Sequence, residues 1–85
     1  MYAIVRRVNV QPGLVEESIQ RIEQGLVPLV SHKPGFVGFY LVRVGEDTGI
    51  SITIFETREQ IYPLAQGPAE VIGVGEVVLH RGKAD

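Results

Sequence analysis

The chain of 85 residues has no cysteine and no tryptophan, one methionine, and only three tyrosines and three phenylalanines. Without cysteine there is no disulfide, no thiolate metal site and no cysteine nucleophile. A reducing, cytoplasmic setting is the matching expectation. Long apolar runs are also missing. Stretches such as 26–30 and 39–42 fall far short of the ~20 residues that span a bilayer, so no membrane segment is expected. In residues 1–7 (MYAIVRR) the basic pair follows the apolar residues, the reverse of a secretory signal. Charge of one sign is scarce: 8 Lys and Arg stand against 10 Asp and Glu, a net −2. No basic stripe exists to neutralise phosphates, which argues against a nucleic-acid partner. Repeats, low-complexity tracts and linkers are absent, and residues 1–85 read as a single domain.

What is present is apolar. Hydrophobic residues make up 45% of the chain, more than so small a body readily hides. Residues 2–10 are rich in β-branched side chains and read as a strand, stopped by Pro12 and Gly13. Val15, Ile19, Ile22, Leu26 and Leu29 then recur at the helical period. Glu16 and Glu17 lie in its first turn, where the helix dipole favours anions, and Pro28 predicts a kink near its end. Pro34 and Gly35 end the helix, 36–44 and 50–56 read as a hairpin around a turn at 45–49, and Thr57 with Gln60 forms a capping-box pattern. Pro63 and the Gly67-Pro68 pair limit the second helix to a few turns. Residues 69–75 are ambiguous, 76–81 read as a final strand, and 82–85 as a tail. The order β-α-β-β-α-β predicts an α+β, ferredoxin-like fold: a four-stranded antiparallel sheet with a shortened second helix.

Both faces of the expected strands are apolar. Ile50, Ile52 and Ile54 share one face of the third strand, and Ser51, Thr53 and Phe55 the other. A sheet with one wet face alternates apolar with polar. Helices cover only one face here, so the other needs a cover, and a homodimer packed sheet to sheet is the simplest.

Five segments carry a family resemblance: residues 1–7, the Pro12-Gly13 helix entry, 34–40 (PGFVGFY), 50–57 (ISITIFET) and 75–81 (GEVVLHR). Together they resemble the antibiotic biosynthesis monooxygenase-like family of dimeric α+β barrels. The resemblance implies a dimer closed by sheet-to-sheet contact and a pocket between sheet and helices for a small aromatic or hydrophobic ligand. It also implies cofactor-independent oxygenases, haem-degrading enzymes and related isomerases as the range of activities. Two departures stand out. The second helix, normally a pocket wall, is cut by Pro63, and the Trp of the Asn, Trp and His constellation of haem-degrading relatives is missing. Asn9 and His80 do not match those roles by motif, which argues against haem degradation.

His80, four residues from Glu76, and Tyr40 are the candidate catalytic groups for proton removal; Arg6 and Tyr62 are the candidate ligand-binding groups. A plainer reading stands beside each: a solvated strand-end histidine, packed tyrosines, and an arginine in an ion pair with Glu56 or Glu76. His32, at the end of the first helix, suits a capping position. With two histidines and no clustered ligands, no metal and no cofactor are expected. No G-x-S-x-G elbow surrounds a serine, and the lone Gly73-Val74-Gly75 precedes no helix. Two readings stay open: a cofactor-independent monooxygenase acting on a small aromatic or hydrophobic substrate, or a non-catalytic ligand-binding or assembly module of the same fold.

Overall fold

The residues described in the computed structural model are 1–9, 13–66 and 69–82. In chain order they form β1 (Tyr2–Asn9), α1 (Val15–Arg21), a π-helical turn (Ile22–Leu26), α2 (Val27–Ser31), β2 (Phe36–Arg43), β3 (Thr48–Phe55), a 3-10 helix (Tyr62–Gln66) and β4 (Glu70–Glu76). The strands make one antiparallel sheet in the order β2-β3-β1-β4, the expected ferredoxin-like α+β topology. The expectations for Val10, Pro12, Gly67-Pro68 and residues 83–85 lie outside the described residues.

The kink expected at Pro28 takes a specific form. Backbone angles stay in the right-handed helical region through every junction from α1 to α2, so the three pieces are one helix. Its middle turn is widened, with the Val27 N–H donating to the Ile22 carbonyl five residues back. Proline lacks a donor and its ring collides with the carbonyl four residues earlier in regular α geometry. A wider turn just upstream relieves that collision. The extra residue rotates everything downstream by about 100°. Regular periodicity put Leu29 on the inward face; instead Leu29 is 68% exposed and Val30 is 1% exposed.

Val30 joins Ile4, Phe55 and Ile61 in the buried core, with Tyr2, Leu26, Phe36 and Leu64 packed around them. Each fully buried apolar side chain contributes about 1.5–3 kcal/mol. A register shift between Phe36 and Gly38 turns Phe36 onto the helix-facing side, where its ring meets Phe55 edge-on at 5.7 Å. The helix-to-strand junction depends on Gly35, whose φ of 81° a side chain resists.

The capping-box pattern is half realised: the Thr57 N–H donates to Gln60 Oε1 at 3.0 Å. An α-helix does not follow. The chain turns and then makes only the 3-10 segment containing Pro63, a more severe shortening than a few turns.

The final strand differs from expectation. β4 covers Glu70–Glu76, the stretch that read as ambiguous, and residues 77–82 have no regular structure. Gly73 and Gly75 mimic a loop signal in the sequence. In the sheet they sit opposite Val5 and Ala3 on an edge strand, while Val71 and Val74 face the helix layer beside Arg6 and Ile4. Beyond the strand, the Val77 N–H still donates to the Met1 carbonyl at 2.9 Å, after which Val78 and Leu79 stand exposed.

The sheet register assigns the faces. Tyr2, Ile4, Arg6 and Val8 pair with Phe55, Thr53, Ser51 and Gly49 beneath the helix. Ala3, Val5 and Arg7 pair with Ile54, Ile52 and Ile50 on the opposite face, extended by Tyr40 and Val42 of β2. β3 is thus inverted relative to ordinary patterning. Among the described residues no helix covers its all-isoleucine side, where Ile50 and Ile52 are half-buried and Ile54 is buried at the end of the strand, while Ser51 and Thr53 on its hydroxyl-bearing side are both buried.

Candidate functional site

The inversion of β3 places polar side chains where packing alone would place apolar ones. Between the sheet and the π turn lies a cavity of about 250 Å³. β1 contributes Arg6 and Val8 to its floor, β2 contributes Phe39, and β3 contributes Ser51; Ile22 and Leu26, the two ends of the π turn, form its roof, and Ala69 closes one side. The widened turn that Pro28 imposes is therefore the piece of helix that covers the cavity.

Arg6 and Ser51 are cross-strand partners, 6% and 2% exposed. The Arg6 Nη1 donates to the Leu64 carbonyl at 3.2 Å, and its Nε has no partner among the described residues. Among the same residues the Ser51 hydroxyl, and that of the fully buried Thr53 two positions along β3, also have none. Each such unsatisfied buried group costs about 1–3 kcal/mol. Burial lowers the Arg6 pKa from the ordinary guanidinium range by desolvating the cation, yet a guanidinium stays charged at any physiological pH. The ion pair expected for one of the tandem arginines exists at Arg7, on the opposite face, with Glu70 at 3.6 Å rather than with Glu56 or Glu76. Among the described residues no carboxylate lies within ion-pair distance of Arg6.

The four sequence candidates are not gathered into one place. Arg6 lines the cavity. Tyr40 is 55% exposed on the opposite, helix-free face of the sheet. Tyr62 is exposed on the 3-10 helix, and His80 is exposed in the irregular segment past β4, not on a strand with Glu76. His32 occupies the C-cap of α2. Ser51 and Thr53, which read as ordinary strand residues, are the groups sequence reasoning missed. The available signal was their alternation with three isoleucines, which sets two hydroxyls on the same face as Phe55. Among the described residues no three metal-ligating side chains converge, and no helix is long and apolar enough to cross a membrane.

Solved structures share this architecture. The heme-free form of the heme-degrading protein of Mycobacterium tuberculosis is 28% identical over 96% of this chain and 96% of its own, with a TM-score of 0.77. The same organism's heme-degrader MhuD with two hemes in its active site is 25% identical over 96% of this chain and 100% of that one, at a TM-score of 0.74. A protein of unknown function from Nitrosomonas europaea shares the fold at 15% identity, covering 99% of this chain and 95% of its own, with a TM-score of 0.66. No curated protein matches the sequence. The family model "Antibiotic biosynthesis monooxygenase" matches residues 1–67, the span that carries β1, the π-turn helix, the β2–β3 hairpin and all but one of the cavity-lining residues, and on that match the chain belongs to this family.

Proposed function

We propose that the chain is a small-molecule-binding member of the antibiotic biosynthesis monooxygenase family that takes a small aromatic or hydrophobic substrate into the cavity beneath the π turn. One observation carries this reading: an apolar chamber of about 250 Å³ whose floor holds Arg6 and Ser51 with hydrogen-bonding capacity that none of the described residues uses. Apolar walls with a few convergent polar atoms are the usual character of a ligand site. In a cofactor-independent oxygenation the apolar walls of this half-open cavity would shield a carbanion formed on the substrate from part of the solvent. A part for His80 in removing the proton needs the exposed segment after β4 to fold over the cavity, and Tyr40 lies across the sheet from it. The binding role therefore rests on Arg6.

Heme, the substrate of the Mycobacterium tuberculosis relative, fits these residues poorly. The cavity falls below the ~300–1,000 Å³ typical of sites for drug-sized ligands, and its lining includes no His, Met or Tyr to bind iron.

The helix-free face supports a homodimer. Val5, Ile50, Ile52, Tyr40 and Val42 form a continuous apolar surface, edged by the Arg7–Glu70 pair. Two copies packed about a twofold axis would bury it in a self-complementary contact. Oxygen uptake and ligand-induced melting shifts, measured with anthrones, quinols and phenols, test the reading. Substrate-dependent oxygen consumption is expected. Binding without turnover would favour the non-catalytic module, and the absence of both responses would overturn the reading.

A further inference from the structure

We infer that the ligand of this cavity carries an anionic oxygen on a small apolar body, held by Arg6 and Ser51. The inference rests on the function proposed above and narrows its substrate class. A guanidinium offers five N–H donors in a planar fork that matches a carboxylate or an ionised phenol. Among the described residues a single Arg6 donor is engaged, by the Leu64 carbonyl at 3.2 Å, while Nε lies buried and unpartnered. The charge is uncompensated among the described residues, since the neighbouring Arg7 takes Glu70 and faces the other way. Ser51, directly across the strand pair, adds a second unpartnered donor on the same floor.

The remaining described walls carry no polar side chain: Val8, Ile22, Leu26, Phe39 and Ala69. One end of the ligand is therefore specified as charged and the rest as hydrophobic. Size bounds it further. A cavity of roughly 150 Å³ suffices for benzene, so about 250 Å³ holds one or two rings. When such a ligand displaces water it leaves a bare cation beneath it, which only an anion compensates. Neutral ligands of the same shape are selected against by that uncovered charge, just as a site built for hydrogen bonding rejects an analogue that lacks the partner group.

Calorimetric titration with 1-naphthoate, 1-naphthamide and 1-naphthol tests this. The carboxylate is expected to bind about tenfold tighter than the amide, or better, the usual scale for hydrogen bonds to a charged group. Naphthol binding that strengthens as pH rises towards its ionisation would mark the phenolate as the preferred source of the oxyanion; flat, weak naphthol binding would assign it to carboxylates. Arg6→Met is expected to erase the carboxylate preference while retaining amide binding, and Arg6→Lys to keep part of it. Circular dichroism establishes that each variant is folded; should Arg6→Met not fold, the carboxylate-to-amide ratio of the unaltered protein decides alone. Equal affinity for acid and amide overturns the inference and leaves the cavity as a site for neutral ligands. Failure of all three probes to bind removes the proposed ligand site with it.

Discussion

The side-chain amide of Gln60 occupies the space into which a β-carbon on Gly35 would project. From there its Nε2 donates to the Pro34 carbonyl at 2.8 Å and its Oε1 accepts from the Thr57 N–H at 3.0 Å. One residue thus clamps the helix-to-β2 junction to the segment after β3, a join reinforced by the Glu56 N–H donating to the Gly35 carbonyl at 2.8 Å. Gly35→Ala is expected to destabilise the protein by about 2–3 kcal/mol, from the positive φ together with the displaced clamp. Urea denaturation with an unchanged slope and a lowered midpoint checks it. Gln60→Ala should cost less, about 1 kcal/mol, because both of its hydrogen bonds are solvent-exposed.

Arg6→Met should stabilise the ligand-free protein or leave it unchanged, with a gain of up to about 2 kcal/mol, since an apolar side chain of similar length replaces a desolvated cation. The sign of the pH dependence follows from the direction of the shift. A base whose pKa is lowered by folding weakens the folded state wherever it is protonated in both states, and the penalty fades only as pH climbs through its folded pKa towards its unfolded one. For a guanidinium that window lies in strong alkali. The difference between the variant and the unaltered protein should accordingly stay constant from about pH 6 to 9. Thermal melts across that range read it, and a difference that changed with pH would point to another titrating group.

The proposed dimer makes a sharp demand on Val42, which stands well exposed on the helix-free face next to Ile50. Val42→Lys should leave the folded protomer nearly as stable as before, within about 0.5 kcal/mol, as for an ordinary surface position. In a sheet-to-sheet dimer the same change buries two unpaired ammonium groups and weakens association by at least about a hundredfold. Sedimentation analysis at micromolar concentration distinguishes the cases. A folded monomer for the unaltered chain under those conditions would refute the assembly.

Gly25 lies in the π turn with open space where a β-carbon would go. Gly25→Ala should add about 0.5–1 kcal/mol of stability by removing freedom from the unfolded chain. Denaturant titration measures the gain. Because Ile22 and Leu26 bracket this residue and roof the cavity, slower ligand association in the same variant would indicate that the roof must flex to admit the ligand.

Topology was legible in the sequence because it rests on local signals: the β-branched run of β1, the helical spacing from Val15 to Leu26, and the Pro34-Gly35 break. Errors arose where one residue of register mattered. The change from Leu29 to Val30 depends on how the helix absorbs Pro28, which a fixed period does not contain. β4 was displaced because glycines opposite Val5 and Ala3 are indistinguishable from loop glycines until β1 lies beside them. For the site, Arg6 was visible as a charge on an apolar face. Its lack of a carboxylate was not, since pairing is decided by which strand lands next to it. Ser51 was marked only by its alternation with the isoleucines; its meaning comes from lying opposite Arg6.

The widened turn at Ile22–Leu26 also ties the shape of the chamber to a single proline. The turn holds one residue more than a regular helix would need to bring Val30 into the core. Deleting one position among residues 23–25 while Pro28 stays would return the proline to plain α geometry and restore the clash of its ring with the preceding turn. The roof over the chamber is therefore remodelled by one-residue changes only when Pro28 changes with it.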